Sequence, residues 1–310
     1  MKTIFGPVPS RRLGRSLGID VVPLKTCSYD CVYCESGRTT HLTVERRSFV
    51  DPGKVVRELE EYFTACPDGA DVLTFSSGGE PTLYEPLGEL IDAVKNRFPS
   101  MPLIVLTNGS LLWDPRVRRD LMRADRVVPS LDGATVESFA RVNRPHPMLD
   151  LDTIMEGLAA FRREYRGELH LEVMLVASYN DQPSHLKAIR RVIDGLAPSQ
   201  VELNTVVRPP ADPEVRGLSG EAMEAILEYF PTGRTQTIGK FTSPCACTES
   251  RDLDRRVLEL LKRRPCTLPE MAVSLGVPQE VLNDTLTELT RQGRLTRYRF
   301  DGKDFYKFAS

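Results

Sequence analysis

The chain has 310 residues, 41% hydrophobic and 27% charged, with 41 basic side chains against 43 acidic ones and a net charge of −2. That balance suits a globular protein of one or two domains, and it excludes a disordered or fibrous chain and a strongly basic surface. The opening MKTIFGPVPSRRLG has no apolar core of a secretion signal, and no run approaches the roughly 18 apolar residues of a membrane span, so the expectation is a cytoplasmic protein without membrane contact.

Residues 1–15 read as a basic arm, because Arg11, Arg12 and Arg15 crowd together ahead of the first apolar run. Such guanidinium groups suit an anionic partner, and a solvated basic segment explains them equally well. From residue 16 the runs SLGIDVV, DVLTFS, PLIVLT, RVVPS, ELHLEVMLV and QVELNTVV alternate with helical patterns opening near Asp51-Pro52, Tyr84, Asp114-Pro115, Thr135, Leu151 and Ser184. An Asp followed by Pro supplies an N-cap and a first-turn proline. Six strands separated by helices predict right-handed βαβ crossovers and a parallel sheet. Periodicity leaves an open doubly wound sheet and a full or partial barrel both standing. In either, chemistry gathers at the carboxyl ends of the strands, where the cysteine loop, SSGGEPT, TNGS and SLDGA fall.

Past Val207 a proline-rich connection, RPPADPEVRG, leads to a helix over about Ser219–Phe230. Residues 236–250 read as a linker containing Cys245 and Cys247, which suit an auxiliary cluster or a redox pair, with Cys66 or Cys266 as further partners, as well as plain packing. Residues 251–310 read as three helices and a two-strand ribbon turning at Asp301-Gly302, a small winged-helix-like domain.

Cys27, Cys31 and Cys34 form a CxxxCxxC loop, which in an intracellular chain points to metal or redox chemistry. Three thiolates on a [4Fe–4S] cluster leave one iron open. The alternative is structural zinc, which wants four ligands; His41 or Cys66 would be the fourth, and neither has finger-like spacing. Cys66 and Cys266 otherwise read as free, small packing residues.

The segment CSYDCVYC, followed some forty residues on by Gly78-Gly79-Glu80-Pro81-Thr82, resembles the radical S-adenosylmethionine (radical SAM) superfamily. The resemblance implies an α/β fold, a partial (β/α)6 TIM-like barrel over residues 16–235 with the winged helix appended. It implies a [4Fe–4S] cluster on Cys27, Cys31 and Cys34, with S-adenosylmethionine on the open iron. Tyr33 would lie beside the adenine and Gly78, Gly79, Glu80 and Pro81 at the methionine end, with Asn108, Ser130 and Asp132 shaping the ribose pocket. A one-electron donor of the ferredoxin or flavodoxin type would reduce the cluster, and a 5′-deoxyadenosyl radical would abstract hydrogen from a substrate. From the residues alone, Asn108-Gly109 and Asp132-Gly133 are also turn formers. Asn180, Asn204 and Arg208 stand where side chains can reach substrate, with a solvated polar loop end the preferred reading.

The opening and the cysteine loop also resemble a subgroup of Fe–S oxidoreductases related to the wyosine synthases, which modify a tRNA guanosine; those carry extra cysteines before the motif, and here none precedes Cys27. The substrate expectations are an RNA nucleotide, a peptide or partner protein (a maturase), or a small metabolite. A reading from another class is an Fe–S redox sensor whose winged helix binds DNA. Against it, a sensor has no use for GGEPT, and the third tail helix sets Glu280, Asp284 and Glu288 against Arg291, which disfavours duplex DNA. Arg294, Arg297, Arg299, Lys303 and Lys307 of the ribbon suit RNA or protein, and docking is the expected role of the tail.

Overall fold

Prolines and capping side chains set where the helices begin. Asp51, Asp114 and Asp150 each accept a backbone N–H of the following turn, and Thr135 forms a capping box with Ser138. The structure, a computed structural model, describes residues 3–10, 13–76, 78–238 and 253–309. Arg11, Arg12, Cys245 and Cys247 lie outside these residues.

In chain order the core elements are β1 (Ile4–Ser10), β2 (Gly14–Ile19), β3 (Thr26–Cys27), β4 (His41–Leu42), α1 (Pro52–Ala65), β5 (Val72–Phe75), α2 (Leu87–Arg97), β6 (Leu103–Thr107), α3 (Pro115–Asp120), β7 (Arg126–Pro129), α4 (Val136–Asn143), α5 (Leu151–Glu164), β8 (Glu168–Leu175), α6 (Pro183–Leu196), β9 (Gln200–Thr205), α7 (Gly220–Leu227) and β10 (Thr235–Thr237). The six strands expected from the sequence are β2 and β5 to β9, all parallel neighbours. The sheet runs β1-β2-β5-β6-β7-β8-β9-β10 and stays open at β1 and β10, as a partial barrel does.

Four strands of the core were not anticipated: β1, the short pair β3 and β4, and β10. Residues expected in a basic arm form β1, which pairs antiparallel with β2. Pro7 and Pro9 hide it from pattern reading, yet an edge strand tolerates missing N–H groups because one side needs no partner. Arg15 is likewise committed, donating to Asp71 from Nε (3.1 Å) and Nη2 (2.7 Å) at the amino end of β2.

The outer face of the sheet is apolar, since Leu169, Leu171, Val173 and Leu175 of β8 join Leu73, Val105 and Leu203 beneath the helices. The alternate positions of β8 and β9 are polar except Met174, and two pairs meet across the inner face: His170 with Glu202 at 2.8 Å, and Asn204 with Glu172 at 3.2 Å. On the same face Ser16 meets Thr74 at 2.7 Å. A barrel lined this way is built to hold something polar.

The tail comprises α8 (Leu253–Arg263), α9 (Leu268–Leu275), α10 (Gln279–Arg291), β11 (Leu295–Phe300) and β12 (Lys303–Phe308), the order expected. Asp301 and Gly302 both have positive φ (46° and 71°), as a two-residue hairpin turn requires. The tail has its own core, which includes Leu258, Met271, Leu286 and the buried Cys266, with Val8 of β1 packed against it. Cys266 is thus a packing residue as read, whereas Cys66 is disulfide-bonded rather than free. No described helix is long and apolar enough to cross a membrane.

Candidate active site

The cysteine loop leaves the carboxyl end of β2 and is fastened on three sides. Lys25 N–H donates to the Gly78 carbonyl, and Glu80 N–H donates to that of Thr26, tying the loop to the glycine segment after β5. Thr40 and His41 N–H groups donate to the Lys25 carbonyl, making the short β3–β4 pairing. On the far side, Asp30 and Val32 N–H groups reach the carbonyls of Asn143 and Val142 at the end of α4.

These anchors bring a side-chain N–H donor to each of the three free thiols of the loop, and Cys27 also receives the Tyr29 backbone N–H. Lys25 Nζ lies 3.3 Å from Cys34 Sγ, Asn108 Nδ2 is 3.6 Å from Cys27 Sγ, and Asn143 Nδ2 is 3.6 Å from Cys31 Sγ. Burial, with the nearby charge of Glu80, pushes the Cys27 thiol up to about 12. Burial and Asp132 hold that of Cys31 well above the usual thiol range. Such thiols ionise when a cation replaces the proton, which is what ligation to iron does. Three half-buried thiols on one loop, each with an N–H donor, are the donor set that an iron–sulfur cluster takes. The zinc reading loses Cys66 to its disulfide.

Two buried carboxylates hold the strand ends behind the thiols. Glu80 accepts from Thr82 N (3.0 Å) and Oγ1 (2.7 Å), from Thr107 Oγ1 (2.6 Å) and from Asn108 N (2.7 Å), so it clamps the ends of β5 and β6 together. Asp132 accepts from Tyr33 Oη (2.6 Å), Asn143 Nδ2 (2.7 Å) and Met174 N (2.9 Å), and burial raises its carboxyl to about 6. Asn180 is buried, not solvated, donating to the carbonyls of Asp132 and Met174. Pro81 is buried at the start of a 3-10 turn, and half-buried Ser130 donates its N–H to Thr107 O.

The glycine segment owes its composition to the loop beside it. A Cβ on Gly79 would sit 2.0 Å from the Thr26 carbonyl oxygen, whereas one on Gly78 would meet only the tip of the exposed Leu24 side chain. Gly79→Ala is therefore expected to cost roughly 1–3 kcal/mol and to lower iron content, with Gly78→Ala within about 0.5 kcal/mol of wild type by denaturant unfolding. Equal stabilities for the two variants would refute this account.

A cavity of about 390 Å³ opens beside this loop, bordered by Tyr33, Cys34 and Gly78, by Glu172 and Asn204 of the inner face, and by Phe5 and Val8 of β1. Its remaining wall is the tail, through Leu260, Arg263 and Arg264. Arg208 fastens that wall: 4% exposed, it donates to Glu35 Oε2 at 2.8 Å, next to Cys34, and to Glu270 Oε1 of α9 at 3.0 Å. Its burial departs from the solvated loop end expected. Ser36 Oγ adds a bond to the Arg263 carbonyl at 3.0 Å. Lys25, Asn143, Glu172 and Arg264 escaped sequence reasoning, because no local pattern marks them and only the fold brings them to the thiols or the cavity.

Comparison with known proteins bears on family and fold. The chain is 34% identical over 311 residues to UPF0026 protein MJ1312 of Methanocaldococcus jannaschii, covering 99% of this chain and 96% of that one. It is 33% identical over 296 residues to a protein named GTPase Obg of Brachyspira hyodysenteriae, but spans only 43% of that longer chain. Among solved structures, a radical SAM methyltransferase from Sphaerobacter thermophilus shares the fold with a TM-score of 0.55 at 16% identity, over 72% of this chain and 66% of that one. TYW1 with a lysine-pyruvate adduct bound gives 0.53 at 16%, over 69% and 72%. Residues 21–189 match the Radical SAM superfamily itself, a span holding the whole cysteine loop and the strand ends behind it. With thiols, donors and strand ends in that arrangement, the chain belongs to the radical SAM superfamily, and a [4Fe–4S] cluster and S-adenosylmethionine are its cofactors.

Proposed function

We propose that this enzyme binds its cluster through Cys27, Cys31 and Cys34 and acts on a substrate held in the cavity between barrel and tail. The observation that carries the reading is the three-thiol loop with a side-chain N–H donor at each sulfur, opening at Cys34 onto that cavity. When bound, the cluster supplies the electron that cleaves the sulfonium bond of S-adenosylmethionine, giving the 5′-deoxyadenosyl radical that removes a substrate hydrogen. The residues orient and enclose: Tyr33 and Gly78 border the cavity beside Cys34, while Glu80, Pro81, Asn108, Ser130 and Asp132 fix the strand ends behind them. Glu172 and Asn204 face the substrate.

A cavity of about 390 Å³ lies at the small end of the ligand-pocket range. It suits a reacting group no larger than one nucleotide or amino-acid residue, whether free or presented by RNA or a peptide. The tail, read as a winged helix, serves as a wall of this cavity. Such a wall, with Glu288 of α10 already paired to Arg291, favours the enzyme over a DNA-binding sensor. The electron donor is a ferredoxin or flavodoxin, and the setting is cytoplasmic.

Anaerobic reconstitution with iron and sulfide, then dithionite and S-adenosylmethionine, is expected to yield 5′-deoxyadenosine by mass spectrometry. No product from cluster-loaded protein would sink the proposal. Modified nucleosides in tRNA from cells with and without the gene then test the RNA branch; unchanged profiles leave a peptide or metabolite.

A further inference from the structure

We infer that Lys25 sets the reduction potential of the cluster, by presenting a buried ammonium to the sulfur of Cys34. The inference rests on the assignment of Cys27, Cys31 and Cys34 as cluster ligands. Asn108 and Asn143 approach their sulfurs as neutral amides at 3.6 Å, whereas Lys25 approaches as a cation at 3.3 Å. Lys25 is only 7% exposed, and among the described residues Cys34 is the ammonium's hydrogen-bond partner, with no carboxylate paired to it.

The backbone pays for this placement: Lys25 has φ of +62°, a left-handed conformation that is unfavourable for a residue bearing a side chain. The strain is held by bonds on both sides, from Lys25 N–H to Gly78 O and from Thr40 and His41 N–H to Lys25 O. A glycine would relieve the backbone but remove the amine, so the side chain has a use that outweighs its conformation.

Charge and hydrogen bonding at the ligand sulfurs are what a protein uses to move a cluster's potential. Reduction adds one electron to the cluster, and a positive charge held in a site of low dielectric favours the more negative, reduced form. Being buried, the interaction is weakly screened by salt. Lys25 therefore makes the cluster easier to reduce, and its position at Cys34 places that charge on the side facing the cavity.

The test is an anaerobic redox titration of reconstituted full-length protein without S-adenosylmethionine, followed by electron paramagnetic resonance, with iron and sulfide measured per chain. Lys25→Met is expected to shift the reduction equilibrium at least tenfold toward the oxidised form, about 59 mV more negative for one electron, with Lys25→Arg close to wild type. An unchanged potential in Lys25→Met at wild-type iron content would overturn the inference. Should Lys25→Met bind no cluster, Lys25→Gln, a neutral donor, replaces it: a negative shift in Gln but not in Arg supports the inference, and equal potentials in the two overturn it. Because the titration needs no turnover, a normal cluster without 5′-deoxyadenosine formation counts against the proposed function alone. A wild-type chain that takes up no cluster removes both.

Discussion

Cys31→Ala is expected to abolish cluster binding and to lower 5′-deoxyadenosine formation by about a hundredfold or more, since loss of a direct ligand exceeds the 10- to 100-fold cost of losing an outer-shell partner. Cys31 is held in the loop between Asp30 and Val32, whose N–H groups are bonded to the end of α4, so no neighbouring thiol can slide into its place. Cys266 is buried in the tail core and Cys66 is disulfide-bonded, which leaves neither as a substitute. The fold should survive: the variant deletes one sulfur from a half-buried position beside Tyr29 and Phe139, at an expected cost of about 1 kcal/mol. Iron and sulfide content, circular dichroism and product formation measured together decide it. A variant that keeps wild-type iron content would remove Cys31 from the ligand set.

Asp132 should leave its mark on stability as a function of pH. Its carboxyl rises from an ordinary 3.8 to about 6, because burial penalises the charge more than the bonds from Tyr33, Met174 and Asn143 favour it. A carboxyl raised on folding contributes stability that is complete below its unfolded value and is lost as pH climbs through its folded value. Relative to Asp132→Asn, the cluster-free wild type should therefore lose roughly 3 kcal/mol between about pH 4 and pH 7. Urea midpoints of the two proteins across this range measure it. A pH-independent difference would show that the carboxyl titrates normally, and a difference growing in the opposite sense would mean its hydrogen bonds dominate burial.

Much of this architecture is written in local pattern. Parallel strands covered on the outside by helices show as short apolar runs, which is why β2 and β5 to β9 were legible, and Asp-Pro pairs announced α1 and α3. The tail was legible because its capping and turn signals, Thr267 with Glu270 and Asp301-Gly302, are complete within a few residues. What stayed hidden depends on contacts between distant segments. Asn143 meets Cys31 across 112 positions and Arg208 meets Glu35 across 173, and neither distance leaves a trace in the spacing of residue types. Glu80 illustrates a third case, in which the motif was visible but its carboxylate turns to Thr82, Thr107 and Asn108. Gly79, too, makes room for the Thr26 carbonyl, a neighbour that a motif does not name.

The hairpin of β1 on β2 has a further consequence, for how the molecule keeps to itself in solution. β1 ends the open sheet, and a free strand edge is a template on which a second chain can add. Pro7 and Pro9 remove two N–H groups from it, the register slips between Phe5 and Val8, and the tail core takes up Val8. A chain shortened before residue 253 would keep the prolines but uncover Val8 and the apolar side of β1. Its failing would then show first as concentration-dependent self-association, before any change in the barrel could be measured.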